Sequence, residues 1–173
     1  MTRHPNIPPL IESEDSEARD PGIQSSVHIA GHPIHPILVA FPIATLVLAL
    51  GSDLGYWVSA DPFWARTSLW LIAVGLGAAI LAAVTGMLDF LRIKRVRQRT
   101  AGRAHMLTNA AILVLTLLNL GVRLGDPVAG IYPLGLPLSI LVALLLGLSG
   151  WWGGELVYRH KVGVIGYGSR TGS

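Results

Sequence analysis

Four histidines lie where the chain changes between polar and apolar sequence, and they are the residues best suited to chemistry. His32 and His35 belong to the segment GHPIHP at 31–36, while His105 and His160 flank two later apolar stretches. Imidazole is the commonest metal ligand in proteins and also an axial ligand of haem iron. These side chains therefore predict a metal or haem site, provided that the fold gathers them at one depth.

The chain contains no cysteine, so such a site has to use nitrogen and oxygen donors, which suit iron, copper, zinc or manganese. Two forms of the site remain open. A non-haem ion would be held by His32, His35, His105 and His160. Alternatively, haem b would lie between helices with two histidines as axial ligands.

Three polar residues near these histidines are expected to support the ligands by hydrogen bonding. They are Asp89, Asn109 and Glu155. Glu155 ranks below the histidines, because it precedes His160 by five positions, about 140° around a helix. A plainer interpretation also stays open, since histidines at helix ends are tolerated at a membrane interface as hydrogen-bonded caps or as neighbours of lipid phosphate.

The elements that must position these residues are four apolar stretches, at about 37–58, 67–91, 105–124 and 134–158. Each is close to the ~20 residues that cross a bilayer as a helix. Hydrophobic residues make up 51% of the chain and charged residues only 13%, which is too few charges for an ordinary soluble domain. Short connectors then predict an all-α, integral membrane four-helix bundle of up-down topology.

Basic residues predict the orientation of this bundle. The loop after the second helix holds Arg92, Lys94, Arg95, Arg97, Arg99 and Arg103. The positive-inside rule places that loop in the cytoplasm, and four crossings then place both termini there. We expect a multi-pass protein of the bacterial inner membrane whose partner is the lipid bilayer. Binding of nucleic acid is not expected, because no aromatic residues alternate with the basic ones.

The domain organisation follows from the same pattern. Residues 1–30 are rich in proline and acidic residues and are expected to form a disordered cytoplasmic tail. Residues 31–160 form the predicted transmembrane domain, and residues 161–173 a flexible C-terminal tail.

Two charged residues fall inside the apolar stretches at matching positions. Asp53 follows His35 by 18 residues, and Arg123 follows His105 by 18 residues. Because the first and third helices run in the same direction, Asp53 and Arg123 should reach one depth and form a structural ion pair. Arg66 is a rival partner for Asp53.

Several segments resemble a bacterial membrane family catalogued as domain of unknown function 2231. They are GHPIHPILVAFPIA at 31–44, the stretch at 63–93, AHMLTNAA at 104–111 and SGWWGGELVYRHKVGV at 149–164. Ala40 stands where relatives are expected to carry histidine. Some relatives are joined to a Rieske-type iron–sulfur domain, so the resemblance implies electron transfer and a haem or iron partner.

Two functions from different classes follow from the sequence. The first is a haem- or metal-binding component of electron transfer, which would need a redox partner protein. The second is a structural or accessory membrane subunit whose polar layer only fastens helices. A transporter is weaker, since no repeat or broken helix indicates a midplane site. The sequence leaves open an enzymatic activity and a homo-oligomer.

Overall fold

The computed structural model describes residues 22–164 of the 173-residue chain. Five helices form most of it: α1 (Ile34–Ser59), α2 (Pro62–Arg92), α3 (Lys94–Gln98), α4 (Thr100–Gly121) and α5 (Gly135–Tyr158). A two-stranded antiparallel hairpin, β1 (His28–Ile29) and β2 (His32–Pro33), precedes them, and a 3-10 turn (Ala129–Ile131) precedes α5. The outer parts of the predicted tails, residues 1–21 and 165–173, lie outside the described residues.

Helices α1, α2, α4 and α5 are each long and apolar enough to span a membrane. This confirms the predicted all-α membrane fold with four spanning helices. Their outward surfaces are apolar, as shown by Trp70 at 70% exposure and Leu144 at 68%. Several polar side chains are buried between the helices instead, among them Asp53 and Arg123. Apolar outside and polar inside is the distribution expected of a protein whose solvent is lipid.

Helix boundaries differ from the sequence estimates by up to five residues. Helix α2 begins at Pro62, not at residue 67, because Asp61 caps it by accepting a 2.9 Å hydrogen bond from the backbone N–H of Phe63. Proline suits this first helical position. Helix α4 likewise begins at Thr100, before the predicted 105. Hydropathy identifies only the apolar part of each helix. The helix itself can begin earlier, in a polar capping segment or a basic first turn.

The four long helices pack in a ring. Helix α1 contacts α2 and α5, and α4 also contacts α2 and α5. Helices α1 and α4 therefore lie diagonally across the bundle. His35 near the start of α1 contacts Ala82 late in α2, and Gly55 late in α1 lies against Trp64 early in α2. The contact between His35 and Ala82 and the contact between Gly55 and Trp64 therefore lie at opposite ends of the bundle.

Residues 22–33 form an N-terminal strap that runs against one end of this bundle. Ala30 and Gly31 both have positive φ and make the tight turn between β1 and β2. Ile23 pairs with Val162 just beyond α5. Residues 22–30 and 161–164 belong to the two predicted tails, and in the structure these segments contact each other through Ile23.

Candidate functional site

His35 lies in the first turn of α1 and points toward α2. Its Nδ1 is 2.8 Å from the backbone oxygen of Ala82, so the ring nitrogen must donate to that carbonyl. The imidazole lies directly against Gly86, where a Cβ atom would approach Cε1 to 2.8 Å. Gly86 is therefore needed for the ring to reach its position between the two helices.

His105 takes the corresponding position on α4, facing α5. Its Nδ1 donates to the backbone oxygen of Ser149 at 2.9 Å. The Ser149 hydroxyl accepts a 2.7 Å hydrogen bond from Nδ2 of Asn109, which also donates to the His105 carbonyl at 2.8 Å. Gly153 makes room for this ring, since a Cβ there would lie 3.2 Å from Cε1. Asn109 is thus linked to His105 through Ser149.

The rings of His35 and His105 lie next to each other between the helices. Their centroids are 6.2 Å apart, and their planes are nearly perpendicular at 87°. In both rings Nδ1 carries the proton that is donated to a carbonyl, so in the neutral imidazole Nε2 keeps its lone pair. Such an Nδ1–H to carbonyl bond is the usual support of a histidine that ligates iron or another metal through Nε2.

A cavity of about 370 Å³ surrounds this histidine pair. Small side chains line it on α2 and α5, including Ala79, Ala82, Ala83, Gly86, Gly150 and Gly153. Most of the remaining wall is aliphatic, and few polar groups reach it. A mostly apolar chamber with a few placed polar groups is typical of small-molecule and cofactor sites.

The other predicted ligands do not join the pair. His32 is exposed in β2, with Nδ1 3.1 Å from the oxygen of Ala30. His160 lies beyond the end of α5, and neither residue lines the cavity. Within residues 22–164, no three His, Asp or Glu side chains are close enough together to hold a metal ion. The predicted four-histidine arrangement therefore reduces to two histidines in the structure.

The two predicted carboxylate supports are engaged elsewhere. Glu155 approaches Arg159 one turn later, at 3.8 Å. Asp89 lines the cavity but binds the N-terminal strap: its oxygens accept from the hydroxyl of Ser25 at 2.7 Å, and from the backbone N–H and hydroxyl of Ser26 at 2.6 and 2.7 Å. Asp89 therefore fixes the strap to the end of α2, beside the cavity.

At the other end of the bundle, Arg123 and Asp53 form a fully buried bidentate ion pair with two contacts of 2.7 Å. Asn119 accepts from Nε of the guanidinium at 2.9 Å, Ser68 accepts from Nη1 at 3.1 Å, and the Ser139 hydroxyl donates to Asp53 at 2.6 Å. The structure thus places in contact the two residues that the sequence spacing paired. The surrounding groups come from α1, α2, α4 and α5.

Sequence reasoning missed the serines that complete both polar clusters. These serines are Ser68, Ser139 and Ser149. Ser139 and Ser149 are each an isolated hydroxyl within an apolar stretch, whereas Ser68 directly follows Thr67. That isolation was the available signal, because polar groups inside a membrane span normally face other polar groups.

Comparison with known proteins agrees with the sequence resemblance. No curated protein and no solved structure matches the chain. A family whose members are described as predicted membrane proteins, DUF2231, matches residues 31–166. That range includes the histidine pair, the ion pair and all four spanning helices. The chain therefore belongs to the DUF2231 family of predicted membrane proteins.

Proposed function

We propose that this integral membrane protein binds haem b between α1 and α4 and carries single electrons. His35 and His105 would be the two axial ligands. The observation that carries the proposal is the facing pair of imidazoles, each fixed through Nδ1 to a backbone carbonyl of a neighbouring helix.

The separation of the rings supports this assignment. Two metal–nitrogen bonds of about 2 Å each, plus about 1.1 Å from each ring centroid to its nitrogen, would place two imidazoles about 6.2 Å apart on one metal. The ring centroids of His35 and His105 are 6.2 Å apart. This agreement supports His35 and His105 as the pair that would hold the iron.

The number of ligands favours haem over a non-haem ion. Porphyrin supplies four nitrogen donors, so the protein has to add only two. A bare zinc, copper or iron site needs three or four protein ligands, and a third His, Asp or Glu does not join the pair within residues 22–164. The small side chains on α2 and α5 leave space beside the rings.

Bound haem would supply one-electron redox chemistry, and the residues of this chain would tune it. Ala82 and Ser149 fix the orientation of the imidazoles, and Asn109 holds the Ser149 hydroxyl. The apolar wall keeps water away and would lower the local dielectric, which shifts a redox potential. A second redox protein would have to exchange electrons with the site, because only one histidine layer is present in the described bundle.

The test is purification of the full chain in mild detergent from cells supplied with haem precursor. We expect a Soret band and reduced α and β bands typical of two histidine ligands, at close to one haem per chain. His35→Ala and His105→Ala should each lose most of the bound haem. His32→Ala is the matched control, because this histidine is three residues from His35 yet exposed, and it should keep the spectrum.

Two results would contradict the proposal. One is a colourless wild-type protein that remains folded after incubation with free haem. The other is equal loss of haem in His32→Ala and His35→Ala, which would indicate damage to the fold and not loss of a ligand.

A structural or accessory subunit is the second candidate, and the buried ion pair favours it. The cluster around Asp53 and Arg123 joins all four spanning helices without contacting the cavity. A folded, haem-free protein whose stability depends on this cluster would support that function. In either case we infer a bacterial inner-membrane location with both termini in the cytoplasm, on the basis of the basic loop between α2 and α4.

A further inference from the structure

Thr116 carries a buried hydroxyl group that neither the histidine site nor the ion pair uses. The residue is only 1% exposed, and its Oγ1 atom has no hydrogen-bond partner among residues 22–164. Three other threonines of the spanning helices each donate to a carbonyl of their own helix at 2.9 Å; they are Thr45, Thr67 and Thr85. Buried polar groups in folded proteins are almost always hydrogen-bonded to protein or to ordered water. The Thr116 hydroxyl therefore indicates a bound partner that this part of the chain does not supply.

Thr116 lies between an apolar and a polar region of the bundle interior. Ile112, one turn before it on α4, belongs to a buried apolar cluster. Asn119, three residues after it, belongs to the hydrogen-bonded cluster around Asp53 and Arg123. Residues three apart on a helix are neighbours on its surface. The Thr116 hydroxyl is therefore within reach of the polar cluster, provided that a small polar molecule bridges the gap.

Two further polar groups are available at this depth. The Asn119 amide already makes two hydrogen bonds in the cluster, but an amide has two N–H donors and two lone pairs and can bind a water as well. On α1, Ala49 precedes Asp53 by one turn, just as Asn119 precedes Arg123. The Ala49 carbonyl accepts a 3.3 Å hydrogen bond from the Ser68 hydroxyl, so this oxygen faces the interior. The small side chain of Ala49 leaves space beside it.

We propose that Thr116 binds one internal water molecule together with Asn119. Such waters typically make about three hydrogen bonds to buried polar groups, and Thr116, Asn119 and the Ala49 carbonyl provide that number. A neutral ligand is favoured over an ion, because Asp53 and Arg123 already neutralise each other here and a further buried charge would be unpaired. The water would extend the hydrogen-bonded network of the ion pair by one helical turn. This inference does not depend on haem binding.

The test is radiolytic labelling of the full chain, in mild detergent made up in heavy-oxygen water. Short X-ray pulses split bound water into hydroxyl radicals, which add heavy oxygen to adjacent side chains. We expect labelling at Ile112, although it is only 3% exposed. Thr116→Val should lower this labelling about fivefold or more, because valine has the shape of threonine but cannot hold the water. Thr116→Ser keeps the hydroxyl and should retain the labelling.

Thr45→Val is the matched control. It makes the same change in another spanning helix, at a hydroxyl that already bonds to its own helix. It should alter labelling at Ile112 by less than about twofold. An unlabelled Ile112 in the wild type would overturn the proposal. Equal losses in Thr116→Val and Thr45→Val would also overturn it, because the labelling would then report a loosened bundle and not a water held by Thr116.

Thermal unfolding in detergent gives a second readout, in which the sign of the change decides. If Thr116 holds a water, Thr116→Val removes one partner of that water, and the midpoint of unfolding should fall by about 2–4 °C. If the hydroxyl is unpaired in the folded protein, valine relieves an unfavourable burial, and the midpoint should stay the same or rise. An unchanged or higher midpoint would therefore contradict the water site.

Discussion

Among individual residues, the buried charges of Asp53 and Arg123 have partners supplied by several helices. The Arg123 guanidinium donates to four residues, Asp53, Asn119, Ser68 and Ser139, and Asp53 also accepts from Ser139. Gly135 leaves room for this arrangement, since a Cβ there would lie 2.7 Å from Nη2 of Arg123. A charge in this position is stable only while its partner is present.

Removing either charge alone should therefore lower the free energy of unfolding more than removing both charges. We expect Asp53→Leu and Arg123→Met each to lower the free energy of unfolding by about 3–5 kcal/mol, because each leaves one buried charge unpaired. The double variant should be much less destabilised than the sum of the two. Thermal unfolding in detergent, followed by size-exclusion chromatography, measures the difference.

Arg66→Met is the control for this experiment. Arg66 is exposed at the same end of the bundle and was the rival partner for Asp53. It should change stability by less than about 0.5 kcal/mol. Additive effects of Asp53→Leu and Arg123→Met would show that the two charges do not stabilise each other.

The sequence could predict this ion pair because helical geometry converts spacing into depth. Equal intervals of 18 residues separate His35 from Asp53 and His105 from Arg123, and parallel helices bring equal intervals to equal depths. The same rule brought His35 and His105 together. It could not predict that Nδ1 of each ring would bind a backbone carbonyl of a neighbouring helix, because that contact depends on helix rotation and on the space left by Gly86 and Gly153.

Among secondary-structure elements, the N-terminal strap is the feature that hydropathy does not indicate. Its composition mixes polar and apolar residues, and its attachment depends on three hydrogen bonds to Asp89 and on the pairing of Ile23 with Val162. These are long-range contacts between short segments without periodic sequence. Apolar spans of about 20 residues are recognisable because the bilayer fixes their length, whereas no comparable constraint acts on the strap.

Asp89→Ala should detach the strap while leaving the spanning helices intact. Hydrogen bonds to a charged group contribute about 1.5–3 kcal/mol, so backbone exchange in residues 22–33 should accelerate about tenfold or more. Hydrogen–deuterium exchange with peptide-level mass spectrometry measures this directly. Asp126→Ala is the control: its carboxylate caps the turn at 126–129, so its effect should be confined to that turn.

Unchanged exchange in residues 22–33 of Asp89→Ala would mean that the pairing with residues 161–163 alone retains the strap. If exchange does accelerate, the strap is also a candidate determinant of access to the cavity, since Ser25 and Asp89 both line it. Haem uptake by Asp89→Ala should then be faster than by the wild type, with unchanged stoichiometry.

For the whole molecule, the apolar exterior and polar interior establish a membrane protein, and the charge distribution determines which way it is inserted. The segment from Arg92 to Arg103, around the loop between α2 and α4, holds six basic residues, whereas the connection between α1 and α2 consists only of Ala60 and Asp61. On the same side as that connection, Arg123 is neutralised by Asp53. Basic residues near the ends of spans resist translocation, so this asymmetry favours retention of the α2–α4 loop in the cytoplasm.

The absence of cysteine from the sequence makes this orientation directly measurable. Gln98→Cys places one thiol in the basic loop, and Gly125→Cys places one on the opposite side, at an exposed position with open space around its backbone. In intact spheroplasts, a membrane-impermeant maleimide should label Gly125→Cys and not Gln98→Cys; after lysis it should label both. The cysteine-free parent is the control. Labelling of Gln98→Cys in intact spheroplasts would place the histidine pair on the outer side, where a cytoplasmic electron donor could not reach it.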